Sequence, residues 1–139
     1  MNRLSRTLVL GLLTLLPFVQ SCKKSNPIDP QPTTPATEVA GTYQLTYAQA
    51  PSGTLSLTDY SGTINVTRVD DSSVNLRLLI VEKATNEQSD VDLGNVELLR
   101  QAGKILLSAD GQQAGSYQNG TIEVLGHSPD GTLTLRGKR

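Results

Sequence analysis

From Gly41 onward the apolar residues recur at every second position, and a period of two is what a β-strand with one buried face requires. Tyr43, Leu45 and Tyr47 alternate with Thr42, Gln44 and Thr46, and Leu55 and Leu57 with Thr54, Ser56 and Thr58. Ile64 and Val66 alternate with Thr63, Asn65 and Thr67. Val74, Leu76, Leu78 and Ile80 share one face, and Leu133 and Leu135 share another. No stretch of this region carries the 3.6-residue period of a convincing helix. The punctuation agrees: Asp110-Gly111, Asn119-Gly120 and Asp130-Gly131 supply the positive φ of tight hairpins, and Asp70-Asp71-Ser72-Ser73 is a further turn. Val91 and Leu93 share a face, whereas Val96 and Leu98 resume out of phase, which predicts a bulge or turn at Gly94-Asn95.

These runs amount to eight or nine short antiparallel strands within about 100 residues, enough for one core. The expected fold is all-β: a small up-and-down meander closing into a barrel, which removes the exposed edges an open sheet would leave. A two-sheet sandwich is the alternative. The short turns joining the last four runs favour the barrel, because long Greek-key returns are hard to place among them.

The segment before this region has a different character. Arg3 and Arg6 precede an apolar run from Thr7 to Val19, the order of a secretory signal peptide. A spanning helix needs about 20 apolar residues, and Pro17 interrupts this shorter run. The single cysteine of the chain follows at Cys22, so no internal disulfide is available. From Lys23 to Thr37 the chain reads KKSNPIDPQPTTPAT, whose four prolines favour an extended spacer of about 3.1 Å per residue. Three parts are therefore expected: 1–21 as signal peptide, 22–37 as tether, and 38–139 as the β domain.

Val19-Gln20-Ser21-Cys22 resembles the lipobox of bacterial lipoproteins. That resemblance implies diacylglycerol on Cys22, cleavage before it, and acylation of the new amino group, with palmitate among the acyl chains. It implies in turn a cell-envelope address, most simply the outer membrane, with the membrane as a partner through the lipid. Val39-Ala40-Gly41-Thr42-Tyr43-Gln44-Leu45 is similar to the opening of lipocalin-like (calycin-like) domains in exported lipoproteins of Bacteroidota. Gly131-Thr132-Leu133-Thr134-Leu135-Arg136-Gly137-Lys138 is similar to their closing strand. In true lipocalins an opening Trp packs under a late Arg; by resemblance Tyr43 and Arg136 take those places.

Chemistry is harder to find. Between 38 and 139 the chain carries eight Lys/Arg against twelve Asp/Glu, which argues against a phosphate-binding nucleic-acid partner. His127, the only histidine, sits in His127-Ser128-Pro129-Asp130-Gly131, which reads as a turn and not as part of a triad. One His and one lipidated Cys do not make a zinc set. Asp90-Val91-Asp92 opens like a calcium loop, but Gly94 falls one residue early and Gln101 stands where the bidentate Glu belongs. Asp59, Glu82, Glu97 and Glu123 read as solvated strand acids. Neither a metal nor another cofactor is expected.

The expectation is a membrane-anchored, non-enzymatic barrel that binds a small hydrophobic ligand, or else a structural or protein-interaction module of an envelope assembly. The candidate inward set is Tyr43, Leu45, Tyr47, Ile64, Val66, Leu76, Leu78, Ile80, Ile122, Val124, Leu133 and Leu135. Among these, Tyr43, Leu45, Tyr47, Leu76, Leu78, Ile122 and Val124 are the ligand-contact candidates. The competing view is that these side chains simply fill the interior, as in small eight-stranded barrels.

Overall fold

The computed structural model describes residues 33–139. The signal-like segment, Cys22 and the proline-rich stretch as far as Pro32 lie outside them. The alternating runs form β1 (Gly41–Ala50), β2 (Gly53–Thr54), β3 (Tyr60–Arg68), β4 (Ser73–Glu82), β5 (Gln88–Gln101), β6 (Lys104–Ala109), β7 (Gln112–Gln118), β8 (Thr121–Ser128) and β9 (Gly131–Lys138). Neighbours in sequence pair antiparallel from β3 to β9, and β1 pairs with both β3 and β9. The sheet closes through the seam Leu45↔Gly137, Tyr47↔Arg136 and Ala48↔Leu135. The result is a closed eight-stranded up-and-down barrel with β2 as a short extra strand, not a sandwich.

The turn chemistry explains the register. Asn119 and Gly120 have φ of 49° and 76°, and Asp110 and Gly111 have 51° and 75°, the paired positive values of a type I′ hairpin. At the β3–β4 turn the Asp70 carboxylate accepts from the Ser72 N–H (2.7 Å) and the Ser73 hydroxyl (2.7 Å). These bonds, Ser73's foremost, hold Asp70 below the usual carboxylate range. The break at Gly94-Asn95 is a bulge: Leu76 faces Gly94, whereas Arg77 faces Asp92, so Leu93 is the extra residue. The Asp92 carboxylate accepts from the Gly94 N–H at 2.8 Å and from Asn75 Nδ2 at 3.1 Å, which pulls its pKa down.

Four expectations are corrected. The Asp130-Gly131 pair is not the β8–β9 turn: Ser128 pairs with Gly131, so Pro129 and Asp130 form it. Leu55 and Leu57 belong to no strand; β2 ends at Thr54, and these side chains pack against the core from a loop. A helix is present, α1 (Pro35–Val39), capped by Thr34 with Pro35 in its first turn. Its Ala36 and Val39 are fully buried, so the packed domain includes residues read as tether, and the boundary set at Glu38 falls inside the helix.

The core runs along the barrel axis. Tyr43, Ile64, Val66, Val74, Leu76, Leu78, Val96, Leu98, Ile105, Leu107, Ile122, Val124 and Leu135 are buried on the inner faces. Gly137 lies inward because Tyr43 and Ile64 fill its place; a Cβ there would stand 2.8 Å from the Tyr43 Cβ. The helix covers the end of the barrel that carries the β3–β4, β5–β6 and β7–β8 turns. Its Ala36 N–H donates to the Asp71 carbonyl (3.3 Å), and Glu38 pairs with Arg100 at 2.5 Å.

Arg139, just past β9, locks this covered end. Its guanidinium donates to the carbonyls of Ala40 (3.0 Å) and Glu38 (2.6 Å) and to the Tyr117 hydroxyl (2.8 Å). It lies 5.3 Å from the Tyr43 ring centre and 5.5 Å from that of Tyr117, within cation–π range. Tyr43 meets Tyr117 edge to face at 6.2 Å and donates its hydroxyl to the Val39 carbonyl at 2.5 Å. Burial pushes the Tyr43 phenol up to about 12, with Arg139 opposing that rise. The arginine under the opening aromatic is therefore Arg139 and not Arg136.

Candidate functional site at the open end of the barrel

The opposite end of the barrel carries the β6–β7 and β8–β9 turns, and the two sides of its interior differ. On the β1–β3–β4 side, Leu45, Leu78 and Ile80 are joined by Leu55 and Leu57, all packed on the core. Leu45 lies against the backbone of Gly62, where a Cβ would stand 3.0 Å from a Leu45 methyl. The loop bearing Leu55 and Leu57 is held by Lys83, whose ammonium donates to the carbonyls of Leu57 (2.8 Å) and Thr58 (3.0 Å).

On the β6–β9 side the inward positions nearest this end include the small residues Ala109, Ala114 and Gly126, and a cavity of about 330 Å³ opens there. Its wall is Leu76, Leu93, Val96, Ala109, Ala114, Val124, Gly126 and Leu133, and its rim carries Asp110, Gln112, Gln113 and His127. Two bulges shape it. The first, in β5, places both Leu93 and Val96 in the wall. The second, in β7, sets Leu107 opposite Gly115 but Ser108 opposite Gln113, so Ala114 is extra and turns inward. Gly115 beside it has φ of 149°, and a Cβ there would stand 2.0 Å from the Glu123 carbonyl oxygen.

The residues selected from sequence divide into three groups. Leu76 and Val124, with Leu133, line the cavity. Tyr43, Leu45, Leu78 and Ile122, with Ile64, Val66 and Leu135, belong to the packed interior and are less than 9% exposed. Tyr47 lies outside the barrel. The register shift between Leu45 and Tyr47 reverses the face, so Ala48 is buried and Tyr47 stacks under Arg136 at 5.4 Å. Its hydroxyl donates to Gln49 (2.6 Å), and Arg136 pairs with Glu123 at 2.5 Å.

Leu93, Val96, Ala109, Ala114 and Gly126 are wall positions that the alternation did not select. A glycine beside each bulge, and an alanine or glycine where a large inward residue belongs, is the signal that marks them. His127 does not sit in a turn: it is part of β8, paired with Thr132, at the rim.

Charge is distributed unevenly between the two halves. Among the described residues, Asp59, Glu82, Glu87, Asp90, Asp92, Asp110 and Asp130 lie in the open half or its turns, against Arg77 and Lys83 alone. Arg77 is engaged by Asp90 at 2.9 Å, and Lys83 by the loop carbonyls. In the covered half, by contrast, five acidic residues meet six basic ones among the described residues. Among the described residues no three His, Cys, Asp or Glu side chains converge as a metal site, and no helix is long and apolar enough to cross a membrane. No family model, curated protein or solved structure matches this chain.

Proposed function

We propose that this chain is a lipid-anchored envelope protein whose barrel takes up a small apolar ligand through its open end, without chemical conversion. The observation that carries the reading is the 330 Å³ cavity with an apolar wall and a polar rim, within the size and character of small-molecule sites. The lipobox-like Val19–Cys22 supports the anchor, and the lipid chains on Cys22 supply attachment at about 0.8 kcal/mol per buried CH₂.

The test is binding of the neutral probe N-phenyl-1-naphthylamine. Its fluorescence rises on entering the cavity, and Leu133→Trp, which fills the wall, weakens that binding at least tenfold. A wild-type chain whose probe signal equals that of Leu133→Trp refutes the reading. Labelling with palmitate that Cys22→Ala abolishes tests the anchor separately.

A second reading rests on β5. This strand pairs with β6 only from Glu97 to Gln101, so along Gln88–Asn95 its outer edge has no strand partner among the described residues. Such an edge accepts an added strand from a partner protein. Cross-linking from this edge to an envelope protein, with no probe in the cavity, favours that reading.

A further inference from the structure

The apolar wall accounts for the tail of a ligand; the rim decides its head. At about 30 Å³ for each water-sized group, the 330 Å³ cavity has the volume of roughly ten such groups, the bulk of a medium-length alkyl chain. Polar groups occur only at the rim: the Asp110 carboxylate, the amides of Gln112 and Gln113, and the imidazole of His127. Among the described residues neither lysine nor arginine lines it. An alkanoate seated there would bring its carboxylate beside Asp110 with no cation to receive it, under the field of an acidic half-barrel. An amine or quaternary ammonium head meets the opposite situation, with acceptors at the rim and attraction from the surrounding carboxylates. We propose, building on the ligand-binding reading, that the cavity selects cationic amphiphiles: an alkyl chain of about ten carbons bearing one positive nitrogen, with Asp110 receiving the head.

Asp110 offers a clean test because of its backbone. Its φ of 51° opens a type I′ turn, a position that asparagine occupies at least as well, so Asp110→Asn removes the charge and leaves the hairpin. The full chain is loaded with N-phenyl-1-naphthylamine and titrated with decyltrimethylammonium, decanol or decanoate, each below its micelle threshold. The signal is taken as the difference from Leu133→Trp, so binding elsewhere on the chain cancels. Decyltrimethylammonium is expected to displace the probe at a concentration at least tenfold lower than decanoate does. That ratio should fall several-fold in Asp110→Asn and with added salt. It should persist in Asp71→Asn, which changes the net charge equally at the covered end. Equal or better displacement by decanoate overturns the proposal, as does a ratio unchanged in Asp110→Asn; ligand binding itself stands in both cases. Absence of any probe signal above Leu133→Trp removes the ligand-binding reading and this proposal with it.

Discussion

Tyr43 joins two effects that separate on titration. Its buried hydroxyl holds the Val39 carbonyl, and its pKa of about 12 exceeds the ordinary value of 10. A folded state that holds its proton more tightly than the unfolded chain is fully stabilised below pH 10 and loses that stability as pH rises toward 12. Alkaline melting should therefore fall with a slope of up to about 1.4 kcal/mol per pH unit from this group. Tyr43→Phe should cost about 1–3 kcal/mol at neutral pH, by orphaning the Val39 carbonyl, and should flatten the alkaline limb. Denaturant titrations at pH 7 and pH 11 check both. Turn residues allow a simpler comparison. Ala102 holds φ of 45° in the β5–β6 turn, a left-handed conformation that its Cβ disfavours and asparagine tolerates. Ala102→Asn is expected to raise stability by about 0.5–1 kcal/mol, whereas Gly120→Val, at φ 76°, lowers it by about 1–3 kcal/mol.

At the scale of elements, α1 and Arg139 act as one unit. Five residues make no stable helix alone; this one persists because Ala36 and Val39 are buried and Arg139 satisfies carbonyls at its exit. Arg139→Gln should lower the melting temperature by several degrees, on the order of 1–3 kcal/mol. Arg139→Lys should rescue little of that loss, because a point charge does not reach two carbonyls and stack on two rings together. Strands were legible from alternation, and the Asn-Gly and Asp110-Gly111 turns from local φ demands. The helix was hidden because Pro35 suits a spacer as well as a first helical turn. Tyr47 was misplaced because a register shift at the β1–β9 seam depends on residues ninety positions apart, which no local pattern reports. The same seam sets Arg136 opposite Tyr47 on the outside and leaves Arg139 to reach Tyr43. The cavity was partly legible: Leu76, Val124 and Leu133 follow the period of two, whereas Leu93 and Ala114 reach the wall only through bulges.

At the scale of the whole described domain, residues 33–139 form a charge-polarised barrel with a covered end and an open one, and its closing seam joins strands about 90 residues apart in sequence. Folding speed falls as contacts become less local, and barrels of this kind fold in milliseconds to seconds. Stopped-flow refolding should fall in that range. A substitution in the seam, such as Ala48→Gly, tests when closure occurs: it should raise the unfolding rate while leaving the folding rate nearly unchanged if the seam forms after the main barrier. A slowed folding rate instead would place seam formation in the transition state.

The β1–β9 seam also bears on how the chain is made. Leu45 waits for Gly137, and a ribosome adding about 5–20 residues per second takes roughly 5–20 s to deliver that partner. During that interval the second half of β1 is without its β9 partner, and no barrel exists, however quickly the β3–β4 and β7–β8 hairpins form. A nascent chain kept open in this way presents an unpaired strand edge for most of its synthesis, and only the arrival of its last strand removes it.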